Sequence, residues 1–276
     1  PLIRVFGTIG WIAAGVLVSL GLKAETTAVP FYVAGAAAIV MGLYSFSLPN
    51  TPPPGAGKGK ITARELLGLD ALAQLNSRPF TVFLISSFLI CIPLAAYFNY
   101  APIFANDMDL ANVAFKMSFG QMSEILFMVA MPFFFRKLGV KWMLIVGMGA
   151  WVLRYALFAM AASSGVVWMI MIGIVLHGIC YDFFFVTGQI YVDKKSTPEI
   201  RGQAQGFLVM ITLGLGMLIG AQVSGWLNNY FKAGQDALTA SAWESFWWIP
   251  ALFAAAVMLL FMFTFNEDVE SSEDEV

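Results

Sequence analysis

Apolar side chains run along this chain in eight long blocks: about Val5 to Leu22, Phe31 to Leu48, Phe80 to Phe98, Phe115 to Phe135, Trp142 to Ala162, Val166 to Val192, Gly206 to Leu227 and Phe246 to Phe265. Each comes close to the roughly 20 residues that an α-helix needs to cross the hydrocarbon core of a bilayer. None alternates with period two over about ten residues, the pattern that a transmembrane β-barrel requires. Their content of Gly, Ala, Ser and Pro suits membrane helices. The pattern predicts an all-α, polytopic transmembrane helix bundle of eight spans.

The polar connections between the blocks differ in charge. Alternate connections hold Lys58, Lys60, Arg64 and Arg78, then Arg136, Lys137 and Lys141, then Lys194, Lys195 and Arg201, while those between hold only Lys23, Lys116 and Lys232. Basic residues gather on the cytoplasmic side of membrane proteins. Both ends of the chain are therefore expected in the cytoplasm, including residues 267–276, an acidic tail with six carboxylates that reads as a solvated end. Residues 50–78 form a cytoplasmic linker. Its Pro/Gly stretch ends at Lys60, and Ile61 to Ser77 reads as a short amphipathic helix at the inner membrane face, with Thr62 and Glu65 at capping-box spacing. The linker divides the spans two and six. Six spans after a long cytoplasmic loop is the layout of the second half of a twelve-span transporter. Residues 1–49 are then the last two spans of an N-terminal bundle, and residues 79–266 a C-terminal six-helix bundle. On this layout the chain, which starts at Pro1 without Met, is a fragment or a trimmed protein.

Composition supports the membrane reading. Hydrophobic residues make up 59% of the chain and charged ones 12%, against roughly 45–50% and 25% in soluble domains. Charge is almost balanced, with 15 Lys and Arg against 17 Asp and Glu, so nothing resembles the basic surface that nucleic acids need. Cys91 and Cys180 lie inside apolar blocks and read as packing residues, with neither disulfide framework nor metal-ligand spacing. No charged leader with a cleavage site precedes the first block. No cofactor motif, metal cluster or nucleophile–base arrangement stands out, so an enzyme is not expected.

The candidate chemistry lies in polar groups at membrane depth, where ionisable side chains are costly and mark function or a specific partner. Gln121 and Glu124 are three residues apart and share one helix face. Either they tie helices together, or they face a cavity and hydrogen-bond a polar solute; the second reading is preferred. A carboxylate there can also take up a proton, since desolvation disfavours its charged form. In the sixth block His177 and Tyr181 lie about 40° apart around the helix and Asp182 about 140° from His177. His177 and Tyr181 can therefore line a cavity while Asp182 faces a neighbouring helix. Asp182 is read either as the partner of Arg154, buried in the preceding block, or as a proton carrier. Tyr97, Asn99 and Tyr100 offer rings and an amide at one depth, a weak signal for a flat polar ligand. Gly216 and Gly220 have the spacing of close helix packing.

Several stretches in order carry a resemblance: Arg4-Val5-Phe6-Gly7-Thr8-Ile9-Gly10-Trp11, Leu67-Gly68-Leu69-Asp70-Ala71, Gln121-Met122-Ser123-Glu124, Trp151-Val152-Leu153-Arg154, Tyr181-Asp182-Phe183-Phe184 and Ile200-Arg201-Gly202-Gln203-Ala204-Gln205-Gly206. Through them the chain resembles the bacterial nucleoside:proton symporters of the major facilitator superfamily, from the fifth family span to the twelfth. The resemblance implies eight of twelve spans in a bacterial cytoplasmic membrane. It also implies a central site where Arg4, Thr8, Asn99, Gln121, Glu124, His177 and Tyr181 meet a nucleoside, with Trp11 as an aromatic wall and Asp182 an acid tied to transport. Well-known enteric members have glutamine where this chain has Ala96, tyrosine at His177, and phenylalanine at Trp11 and Tyr181. These departures bear on base preference. The expected function is proton-coupled uptake of a nucleoside-type small molecule by alternating access, with Glu124 or Asp182 carrying the proton. Two alternatives remain at this stage: a membrane receptor or assembly subunit that binds without transport, and a carrier of another small polar solute.

Overall fold

The structure is a computed structural model that describes residues 2–51 and 62–266, with the side chains of residues 2–4, 65 and 66 outside the description. The side chain of Arg4, the Glu65 half of the expected capping box, most of the Pro/Gly linker and the acidic tail therefore lie outside the described residues. All regular elements among the described residues are helical.

Helix α1 (Leu2–Val16) runs into a π-helical turn, Leu17–Gly21, and α2 (Val29–Ser45) follows. Two short pieces, α3 (Ala63–Leu66) and α4 (Leu69–Gln74), come next, then α5 (Arg78–Asp107). The apolar run Val113–Ser164 bends at Gly139 (φ 66, ψ 178) into two helices, α6 (residues 113–138) and α7 (residues 140–164). A Cβ on Gly139 would meet nothing within 4 Å, so the requirement there is the left-handed backbone and not space. The bundle closes with α8 (Val167–Lys195), α9 (Arg201–Lys232) and α10 (Ala240–Thr264). These eight apolar helices, without α3 and α4, match the eight blocks of the sequence pattern.

The expected single amphipathic helix after the linker is instead broken. Gly68 takes φ 69 and separates α3 from α4, and a side chain there would lie 3.0 Å from the Gln203 carbonyl and from Phe207 Cβ. Ala71 and Leu75 are buried while Leu67 and Leu69 stay exposed. The segment docks on the start of α9 as much as it faces a membrane surface.

Helix ends follow local chemistry. Ser77 accepts from the Phe80 amide at the start of α5, with Pro79 in its first turn, and Thr239 accepts from the Ala242 amide at the start of α10. Gly165 ends α7 in a left-handed conformation. The basic residues of the connections gather at one end. Lys137 lies over the Phe133 ring, Lys194 over the Phe135 ring, Lys141 donates to Asn266, and Arg201 pairs with Asp193.

Close approach depends on small residues. A Cβ on Gly216 or Gly220 would come within 2.7 Å of Cys91 Cβ or 2.6 Å of the Ile92 carbonyl, so the spaced glycine pair does pack α9 on α5. Cys91 and Cys180 are both buried and free. The core of the six later spans is aromatic: Trp151, Trp243, Trp247, Tyr155, Phe104 and Phe158 are fully buried. Tyr155 stacks on Trp247 at 5.9 Å and 7°, and its hydroxyl donates to the Pro93 carbonyl at 2.8 Å. Helix α1 packs along α6, whereas α2 buries none of its residues.

A polar seam between three helices

The site begins with a helix crossing. Ser123 of α6 shares its hydroxyl proton between the carbonyls of Gly120 (2.7 Å) and Val175 (2.6 Å), and accepts from the Gly178 amide of α8 at 2.9 Å. That amide is available because α8 loosens at Leu176 (φ −59, ψ −9). A Cβ on Gly178 would lie 2.5 Å from the Ser123 carbonyl, so only glycine permits this approach. The crossing sets the following residue of α6 against the preceding residue of α8. Glu124 Oε2 then lies 4.0 Å from His177 Nε2.

Helix α1 closes the seam from the other side. Thr8, itself buried, donates from Oγ1 to Glu124 Oε1 at 3.4 Å, and Glu124 is only 6% exposed. Farther along the same contact, Gly15 packs against Ala114 and Ser118. At its end the Glu25 carboxylate accepts from the free amides of Val113 (3.1 Å) and Ala114 (3.0 Å). Asn112, at the cap position in a left-handed conformation, offers no side-chain bond there. A carboxylate on a helix N-terminus is favoured by the exposed amides and the helix dipole.

His177 is held among rings. Tyr97 stacks on it at 5.6 Å and 19°, Tyr181 tilts against it at 5.7 Å and 32°, and Phe98 meets it edge-on at 6.3 Å. Behind this group lies Arg154, fully buried. Its guanidinium carbon sits 4.1 Å from the centroid of the Tyr97 ring, and none of its nitrogens is hydrogen-bonded among the described residues. Asp182 is fully buried and opens the π-helical turn Asp182–Val186, a kind of irregularity that recurs at functional positions.

The remaining candidates divide. Gln121 is half-buried, its amide oxygen enclosed without a hydrogen bond among the described residues. Tyr181 is half-buried between His177 and Phe185. Asn99 and Trp11 are exposed, Trp11 at 59%, with no hydrogen bond that ties either to the Glu124–His177 contact. Ala96 does not face the seam: it lines an apolar cavity of 170 Å³ between α5, α9 and α10, with Ile92, Gly220 and Phe253. Tyr97 is not the open ligand platform the sequence suggested but a buried wall. Phe98, 41% exposed beside the imidazole, is a surface that the sequence reading missed. Its only signal was its place next to Tyr97 and Asn99.

A multi-pass helical bundle with a buried carboxylate, an imidazole and a hydroxyl gathered from three spans is the build of a membrane transporter of the major facilitator type. The chain belongs to the nucleoside H+ symporter family, whose profile matches residues 1–270. It is 36% identical to the protein YegT of Escherichia coli over 97% of its own length and 65% of YegT. It is 31% identical to the nucleoside permease NupG of the same organism, covering 96% of this chain and 65% of that one, and 29% identical to the xanthosine permease, covering 98% and 66%. The crystal structure of the nucleoside transporter NupG superposes with a TM-score of 0.72 at 30% identity, across 97% of this chain and 67% of that one. The chain therefore spans about two thirds of the length of these relatives, and 65% in the cases of YegT and NupG.

Proposed function

We propose that the protein carries nucleosides inward together with protons, with the seam of Thr8, Gln121, Glu124, His177 and Tyr181 as the solute site. The observation that carries this reading is the buried Glu124 carboxylate, placed between a hydroxyl of α1 and the imidazole of α8. It supports coupling because a carboxyl group in an apolar bundle is cheaper to hold neutral than charged. Protonated, Glu124 is also a donor, able to bond a ribose hydroxyl that Gln121 accepts from or donates to. The half-exposed rings of Tyr181 and Phe98 offer a base a stacking surface beside it. Family membership and the names of the relatives supply the substrate class.

In this mechanism α1 belongs to one bundle (residues 1–49) and α6 and α8 to the other (residues 79–266), joined by residues 50–78. Solute and proton bind where the two bundles meet, and rocking exposes the seam first to one side and then to the other. An inward proton gains about 2.3 kcal/mol per 100 mV of membrane potential. The gathering of basic residues at one end supports a cytoplasmic location for that end and for both termini. The chemistry involves no covalent step, and the protein acts as a carrier and not an enzyme. Asp182, fully buried and next to Tyr181 in the chain, is the second candidate for moving the proton.

Accumulation of radiolabelled uridine by cells lacking their own nucleoside uptake, with and without a protonophore, tests this. Concentrative uptake that the protonophore abolishes is expected. Saturable binding without accumulation would contradict it and favour a receptor.

A further inference from the structure

The plane of the His177 ring needs a cause. The second torsion of a histidine is broad and does not fix itself. Hydrogen bonding does not fix it either, since Nε2 is 4.0 Å from Glu124, beyond hydrogen-bond range, and Nδ1 is buried with no partner among the described residues. What remains is stacking. Of the three rings around the imidazole, Tyr97 is the most nearly parallel, at 19°, and the only one that is fully enclosed, at 2% exposure.

Tyr97 is in turn pinned from behind. The Arg154 guanidinium lies over its ring at 4.1 Å, and Phe158 runs parallel to it at 6.3 Å and 10°. A cation over an aromatic face is strongest where water is absent, and Arg154 is fully buried. The Tyr97 hydroxyl contributes nothing to this, being buried without a hydrogen bond among the described residues. Tyr97 is 57 residues from Arg154 and 80 from His177 along the chain, so the column Arg154–Tyr97–His177 joins α5, α7 and α8 in one register.

We propose that Tyr97 is a positioning residue: its ring, held by the Arg154 guanidinium, fixes the His177 imidazole in the plane that turns Nε2 toward Glu124. The proposal rests on the seam being the transport site, and assigns Arg154 the task of orienting that site from outside it. It predicts that the ring face of Tyr97 matters and its hydroxyl does not.

His177 is the only histidine of the chain, so the ¹³C–¹H relaxation of the imidazole ring in the purified full chain reports the order of that ring alone. Tyr97→Phe keeps the ring face and is expected to preserve a rigid imidazole and an apparent KM for uridine within about twofold of the parent. Tyr97→Leu is expected to let the imidazole rotate and to raise KM about tenfold, with turnover at saturation unchanged. Tyr97→Met, unbranched and space-filling, is the second variant should the leucine protein not fold. A rigid imidazole and unchanged KM in the leucine or methionine protein would overturn the proposal, leaving Tyr97 a filler of space. If the parent transports no uridine but the order of its imidazole still depends on the Tyr97 ring, the transport reading fails and the positioning role stands.

Discussion

The aromatic core of α5, α7 and α10 and the polar seam of α1, α6 and α8 solve the same problem in opposite ways. In the core, Trp243, Trp247, Tyr155 and Phe104 interlock ring against ring, and the one tyrosine hydroxyl among them is given to a carbonyl. In the seam, a carboxylate, an imidazole and a hydroxyl meet at 3.4 to 4.0 Å, longer than tight hydrogen bonds. The core is built to have one arrangement. The seam gathers its polar groups from three different helices, and on the function proposed above it must bind, release and re-form.

Substitutions should separate the two regions. The largest effect is expected for Trp247→Ala, which empties a fully buried site and should cost about 3–5 kcal/mol of stability. The loss of monodisperse protein on heating in detergent measures it, and uridine affinity of the surviving fraction should be normal. Gly178→Ala comes next. Its methyl would meet the Ser123 backbone and force α6 from α8, at about 1–3 kcal/mol. Here uptake should fall further than thermal stability does, because the Glu124–His177 distance depends on this crossing; equal losses would remove the distinction between core and seam.

Glu124→Gln keeps the shape of the side chain and is expected to spare folding while abolishing accumulation against a gradient, with solute exchange retained. Concentrative uptake by this variant would end the coupling role. Glu25→Ala should remove the cap of α6 at a cost of about 1 kcal/mol, read as a small drop in melting temperature. An effect as large as that of Trp247→Ala would mean that α1 is part of the core and not a separable partner. The smallest effect is expected for Trp11→Ala, whose ring is 59% exposed: stability within about 0.5 kcal/mol, with any change confined to solute affinity.

What was legible in the sequence is what hydrophobicity and local geometry encode. The eight apolar helices were, because long runs of apolar residues have few other uses. Glu124 and His177 each stood out as ionisable groups at membrane depth, but nothing local brings the two together. Rotation of one helix against another is not written locally. The contact of the Arg154 guanidinium with the Tyr97 ring of α5, across 57 residues, therefore had no local signal. The cap that Glu25 supplies to Val113 and Ala114, across 88 and 89 residues, had no local signal. Nor did the break at Gly68, where α4 turns to meet α9. Asn99 and Trp11 share the right depth with the seam but not its burial, a difference that only helix orientation decides.

The central claim is that solute and proton move together through the seam. Proton movement on addition of uridine, followed with a pH-sensitive dye in de-energised vesicles that contain the protein, measures it directly. The account predicts that uridine entry carries protons in with the parent protein and carries none with Glu124→Gln. Uridine entry through the parent with no accompanying proton flux would contradict it.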